Sequence, residues 1–120
     1  MQKTILILLF LSVCSVSIAQ QTIKPEEATK HIGDSVIICG KIYGGIFLES
    51  VTNKPTFLNM GAVYPNQLVT IVIWGNIRKQ FSYKPEEKLK NKMVCISGKV
   101  EVFKGKPQIV ITKAAQLKEE

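Results

Sequence analysis

The stretch from Thr56 to Gly75, TFLNMGAVYPNQLVTIVIWG, constrains this chain more than any other. Phe57 and Asn59 alternate with Leu58 and Met60. Gly61, Pro65 and Asn66 break the pattern, and Val69, Ile71 and Ile73 resume it at period two. Short alternating runs around a cluster of turn formers predict a strand, a loop and a longer strand, and the remaining segments read as neighbours of that unit. Its polar content is unusual, since Asn59, Asn66, Gln67 and Thr70 set amides and a hydroxyl among apolar strand residues. Turn chemistry with edge exposure and the reading of a ligand both account for them.

Before this unit, Pro25 opens a short helix, Glu26 and Glu27 complement its amino-terminal dipole, and Gly33 follows as a terminator. Ser35–Tyr43 is the next expected strand, with Val36, Ile38 and Ile42 on one face. Gly44-Gly45 interrupts the alternation before Ile46 to Glu49 restores it, which predicts a bulge bending one long strand. After Gly75, Asn76 is the expected N-cap of a second short helix through about Phe81, and Lys84 to Lys92 reads as a charged, exposed connection. Lys92 to Phe103 is another long strand, with Val94, Ile96, Val100 and Val102 inward and Gly98 as a bend. Lys104-Gly105-Lys106 turns into a last strand, Pro107 to Thr112. Lys113 to Glu120 is polar and expected to fray.

The first nineteen residues stand outside this scheme. Lys3 precedes an apolar run from Ile5 to Leu11, too short to span a membrane, and Ser17 and Ala19 fit small-residue cleavage. Residues 1–19 are therefore expected to be an export signal, with no transmembrane span and a periplasmic or secreted product. A lipoprotein anchored at Cys14 is the alternative, with Val13 where a small residue is usual. Loss of Lys3 lowers the formal charge from +7 to +6, and that charge is lysine-borne, Arg78 being the only arginine. A basic balance suits polyanions and also simply keeps a small domain soluble. Cys39 and Cys95 are the cysteines left after cleavage, and export permits a disulfide between them; two free thiols are the alternative.

These elements divide the chain into a leader (1–19), a lead-in segment with the short helix (20–33), a barrel (34–113) and a polar tail (114–120). The expected fold is all-β, with a short amino-terminal helix and another between the third and fourth strands. That order describes the five-stranded OB-fold, a partly open Greek-key barrel.

The runs Thr56-Phe57-Leu58-Asn59, Tyr64-Pro65-Asn66-Gln67, Val72-Ile73-Trp74-Gly75 and Gly105-Lys106-Pro107-Gln108-Ile109, with Cys39-Gly40-Lys41 and Ser97-Gly98-Lys99, look like small bacterial OB-fold domains of the nucleic-acid-binding, tRNA-anticodon-binding type. The similarity runs from about His31 to Thr112. It implies binding of single-stranded or flexible nucleic acid.

OB-folds that hold single strands combine a positive groove with aromatic platforms, because each nucleotide offers a phosphate charge and a base face. Strand alternation sets Lys41, Tyr43, Phe57, Asn59 and Thr70 outward on the first three strands, with Trp74 at the end of the third. Lys54 lies in the first loop, and Lys104 and Lys106 lie in the last turn. Packing against a helix or the tail is the alternative for the aromatics. Micrococcal-type nucleases share this barrel, and the resemblance to them would require metal-binding acids and paired arginines, whereas Asp34 and Arg78 are the only aspartate and arginine. The lone histidine, His31, builds neither a Ser–His pair nor a histidine metal cluster. A binding protein without enzymatic activity, cofactor or metal is therefore expected. A glycan, small molecule or protein on the same face is the alternative ligand class.

Overall fold

The computed structural model describes residues 9, 11, 12 and 20–120. Almost all of the expected leader, its cleavage site at Ala19 and the alternative anchor Cys14 lie outside the described residues. Among the described residues, no helix is long and apolar enough to cross a membrane.

The fold is all-β, with strands β1 (Thr22–Ile23), β2 (Ser35–Phe47), β3 (Thr56–Met60), β4 (Val69–Ile73), β5 (Met93–Lys99), β6 (Glu101–Phe103), β7 (Lys106–Val110) and β8 (Leu117–Glu119). Two single-turn helices, α1 (Gly75–Arg78) and α2 (Pro85–Lys88), separate β4 from β5, and 3-10 turns cover Pro25–His31 and Ala114–Gln116. One sheet takes the order β6-β7-β4-β3-β2-β5-β8, with β1 added beside β2. Neighbours are antiparallel except β4 with β7 and β1 with β2, which are parallel. Only Val100 separates β5 from β6 in the chain, yet these strands lie near opposite ends of the order, so the sheet curls back on itself.

Strand β2 is long enough to serve two partners. Ser35–Lys41 pairs with β5, and Ile42–Phe47 pairs with β3. The change of partner coincides with a register shift between Ile42 and Gly45, the bulge that the paired glycines predict. Gly44 has a φ of +114°, where a side chain is strained, and a Cβ on Gly45 would strike the carbonyl oxygen of Phe57. Alternation then builds the interior. Val36, Ile38, Ile42, Leu58, Met60, Val69, Ile71, Ile73, Val94, Ile96, Ile109 and Ile111 are buried in one cluster.

Several expectations require correction. The first helix is a 3-10 turn. The helix after β4 is two short helices, and Trp74 rather than Asn76 takes the N-cap position of the first. Lys84 to Lys92 is not wholly an exposed connection, because Leu89 is fully buried in the core. The long fourth strand breaks at Val100, whose N–H donates to the Asp34 carbonyl (2.9 Å) while its own carbonyl accepts from Gly33 (2.8 Å). The break leaves Val102 exposed rather than inward. The tail does not fray either. Leu117 is buried, and β8 pairs with β5 through Val94↔Glu119, Cys95↔Lys118 and Ile96↔Leu117.

Candidate functional site

Register brings most of the outward polar residues together. Directly paired residues point to the same face of a sheet. Tyr43 and Gly44 together oppose Asn59 across the bulge, Asn59 pairs with Thr70, and Thr70 pairs with Gln108. An apolar row runs beside this polar one, through Ile46, Phe57, Val72 and Val110. Val72 is buried although it belongs to the outer face, flanked directly by Phe57 and Val110. Thr70 accepts a hydrogen bond at Oγ1 from Gln67 Nε2 (3.1 Å). Gln67 is itself buried, and its Oε1 finds no partner among the described residues.

The lysines stand at both ends of these rows. Where β3 runs out into the β3–β4 loop, the exposed Lys41 holds its Nζ 4.9 Å from the Tyr43 ring centre, and the Lys41 carbonyl accepts from the Gly61 N–H (3.0 Å). At that end the Lys106 Nζ donates to the Pro65 carbonyl, tying the β6–β7 turn to the loop. Lys104 lies 5.5 Å above the Phe103 ring. Lys54 sits at the opposite end, where the Asn53 carbonyl accepts from the Gly75 N–H (2.9 Å). Trp74, at the start of α1, is only partly exposed there, at 37%. Thus Tyr43, Phe57, Asn59 and Thr70 share one face, Lys41, Lys104 and Lys106 gather at one end, and Lys54 and Trp74 lie at the other.

Beyond this face, an open cleft of about 1030 Å³ follows the bent half of β2, with Tyr43 and Gly44 on one side and Glu87 and Lys90 on the other. A smaller cleft of about 420 Å³ contains Lys54 and Tyr83, and Phe47, Arg78 and Lys84 wall both. Arg78 is the hinge between the two clefts. Its Nη1 donates to Glu86 Oε2 (2.6 Å) and Thr56 Oγ1 (2.7 Å), its Nη2 donates to Glu86 Oε1 (2.9 Å), and its guanidinium lies 3.7 Å from the Phe47 ring centre. Burial alone would raise the Glu86 carboxyl. Hydrogen bonds from Arg78 and its own backbone, with the charges of Arg78 and Lys84, outweigh that and hold it below its ordinary 4.5. Tyr83 shifts the other way, raised by burial and then by the charge of Glu119.

The Arg78 side chain is only 14% exposed and is already bound to a carboxylate. Sequence reasoning missed this pair because Arg78 and Glu86 belong to different helices. It also missed Tyr64 and Phe103, exposed by 74% and 58% at the lysine-rich end, and Gln108 in the polar row. An aromatic next to a Pro or Gly-Lys turn was the signal for the first two. Asp34 accepts from or pairs with His31 at 3.2 Å, so the lone aspartate and lone histidine occupy one another near the lead-in helix.

No family model matches the chain, and no curated protein sequence does either. Among solved structures, the chain is similar to one described as an aspartyl-tRNA synthetase from Leishmania major Friedlin, with a TM-score of 0.54 and 10% sequence identity. The match covers 88% of this chain and 22% of that one. At that identity the likeness is one of fold: nearly all of this chain takes the form of a segment of the larger protein.

Proposed function

We propose that this chain is an exported OB-fold binding protein that holds single-stranded nucleic acid across the outer face of β2, β3, β4 and β7. In this reading β2, β3, β4, β5 continued by β6, and β7 are the five barrel strands, with β1 and β8 as additions at the β2–β5 side. The parallel β4–β7 pairing and the two partners of β2 support it, as does the likeness of fold to part of a protein described as a tRNA synthetase.

The observation that carries the functional reading is the register. It aligns Tyr43, Asn59, Thr70 and Gln108 in one row beside Phe57, with Lys54 at one end and Lys41, Lys104 and Lys106 at the other. Amides and a hydroxyl serve base edges, Tyr43 and Phe57 serve base faces, and the lysines serve phosphates. The role proposed is binding rather than catalysis, and the engagement of Arg78 by Glu86 and Thr56 supports that reading.

Fluorescence titration of the folded protein with short labelled oligonucleotides at several salt concentrations tests the assignment. Affinity should fall with salt at a log–log slope of about −0.7 per neutralised phosphate. Replacing Lys104 and Lys106 together by Ala should flatten that slope for every sequence. Phe57→Ala should weaken binding by about 1–3 kcal/mol while leaving the slope nearly unchanged. Absence of binding at low salt would overturn the assignment, and a salt-insensitive glycan or small molecule on the same face would take its place.

A further inference from the structure

The opposite half of the sheet holds a group of side chains that the proposed interface does not use. Cys39 and Cys95 pair directly across β2 and β5, with their Cα atoms 4.0 Å apart, and are joined as a disulfide. The next strand extends that row, because Lys118 of β8 pairs with Cys95. Glu120 follows two residues later on the same face, its N–H donating to the Met93 carbonyl (3.0 Å), while Glu119 points the other way to Lys92 (3.1 Å). The Glu120 Oε1 consequently lies 3.7 Å from Cys95 Sγ. A sulfur in a disulfide carries no proton, so the carboxylate gains no hydrogen bond there.

We propose that Cys39, Cys95 and Glu120 form a site for a thiophilic divalent cation of the zinc and cadmium class when the disulfide is reduced. The geometry favours this. A tetrahedral ion with metal–sulfur bonds of about 2.3 Å and metal–oxygen bonds of about 2.1 Å sets its ligand atoms roughly 3.5–3.8 Å apart. Glu120 Oε1 already stands at that spacing from Cys95 Sγ, at 3.7 Å, and all three candidate ligand atoms lie within 4.8 Å of one another; the two sulfurs, held closer than ligand spacing by their bond, separate to it when the bridge is reduced. The β2–β5 ladder, paired from Ser35↔Lys99 to Lys41↔Met93, keeps the two cysteines opposite each other without the bridge. Two thiolates and a carboxylate overcompensate a divalent ion by one negative charge. Lys118, beside Cys95, and Lys41, two residues beyond Cys39 on the same face, offset it. A tetrahedral ion would have a fourth position left for water.

Reduction by a dithiol supplies the two electrons and two protons. The reductant's sulfurs join as the protein's S–S bond breaks, and the two thiol protons pass to solvent when the cation binds. The two cysteines and Glu120 lie outside the row proposed for nucleic acid, but β2 and Lys41 are common to both, so the cation site adjoins that face at Lys41.

Cadmium reports the site through its thiolate-to-metal absorption in the ultraviolet. Protein reduced with a dithiol, freed of reductant under argon and checked for its fold by circular dichroism, is titrated with cadmium beside the oxidised protein. One ion per reduced chain with the thiolate band, no band in the oxidised chain, and at least tenfold weaker binding in Glu120→Gln are expected. The conservative variant keeps the disulfide and both thiols, so its fold is not at issue. A reduced, folded chain without the band, a chain that loses its fold on reduction, or equal affinity in Glu120→Gln would overturn the proposal.

Discussion

Arg78 shows how much one side chain can do in a small domain. Its guanidinium joins Thr56 of β3, Phe47 of β2 and Glu86 of α2, so a single residue ties both short helices to the sheet. Both partners of the ion pair are largely shielded, at 14% and 12% exposure. Glu86→Gln leaves the guanidinium without its counter-charge and should cost about 3 kcal/mol, read from the urea midpoint at neutral pH. The pH dependence has a definite sign. Glu86 has a lowered folded value, so its contribution is full above the ordinary 4.5 and is lost as pH falls through the folded value. Wild type should therefore lose more stability than Glu86→Gln in the window where pH falls from 5 through that folded value, and the two midpoints should converge. A gap that stays constant through that window would assign the cost to packing. Phe103 gives a contrasting case at the same scale. Exposed beside Lys104, it has little packing to lose, and Phe103→Ala should weaken oligonucleotide binding by about 1–3 kcal/mol with an unchanged melting temperature.

Strands were more legible than their surroundings because alternation is local. Val36, Ile38 and Ile42, and then Val69, Ile71 and Ile73, could be assigned to the interior from spacing alone, and Gly44-Gly45 marked the bend. Leu89 was misread because the charges of Lys84 to Lys92 hide one buried apolar residue whose partners are distant in the chain. The tail was misread for a related reason, since β8 is a single apolar residue followed by charges and is a strand only because β5 offers it an open edge. In the site, outward residues of one strand were legible, but the bulge register that sets Tyr43 against Asn59 was not. The β2–β5 pairing carries its own prediction. A bridge across a separation of 56 residues removes about 4 kcal/mol of unfolded-chain entropy in the polymer account. Reduction should lower the urea midpoint accordingly. Non-reducing mass spectrometry should find no alkylatable thiol at Cys39 or Cys95 in protein taken from an oxidising compartment; two modified thiols there would remove the assignment.

For the molecule as a whole, the nearest enzymatic reading is a nuclease, and the binding role proposed above predicts no such activity. Purified protein incubated with labelled single- and double-stranded substrates plus calcium or magnesium should show no turnover. Cleavage that follows the protein through purification and is lost in Asp34→Ala would overturn the binding-only role. The divided partnership of β2 also governs when the chain can fold. Its first half waits for β5, from Ser35↔Lys99 to Lys41↔Met93, and β4 waits for β7 through Thr70↔Gln108. Such distant pairings close large loops before any contact rewards them, which makes folding slow and late. A ribosome-bound fragment ending before residue 93 would hold β2 with one of its two ladders missing, so the sheet can close only after β5 has been made.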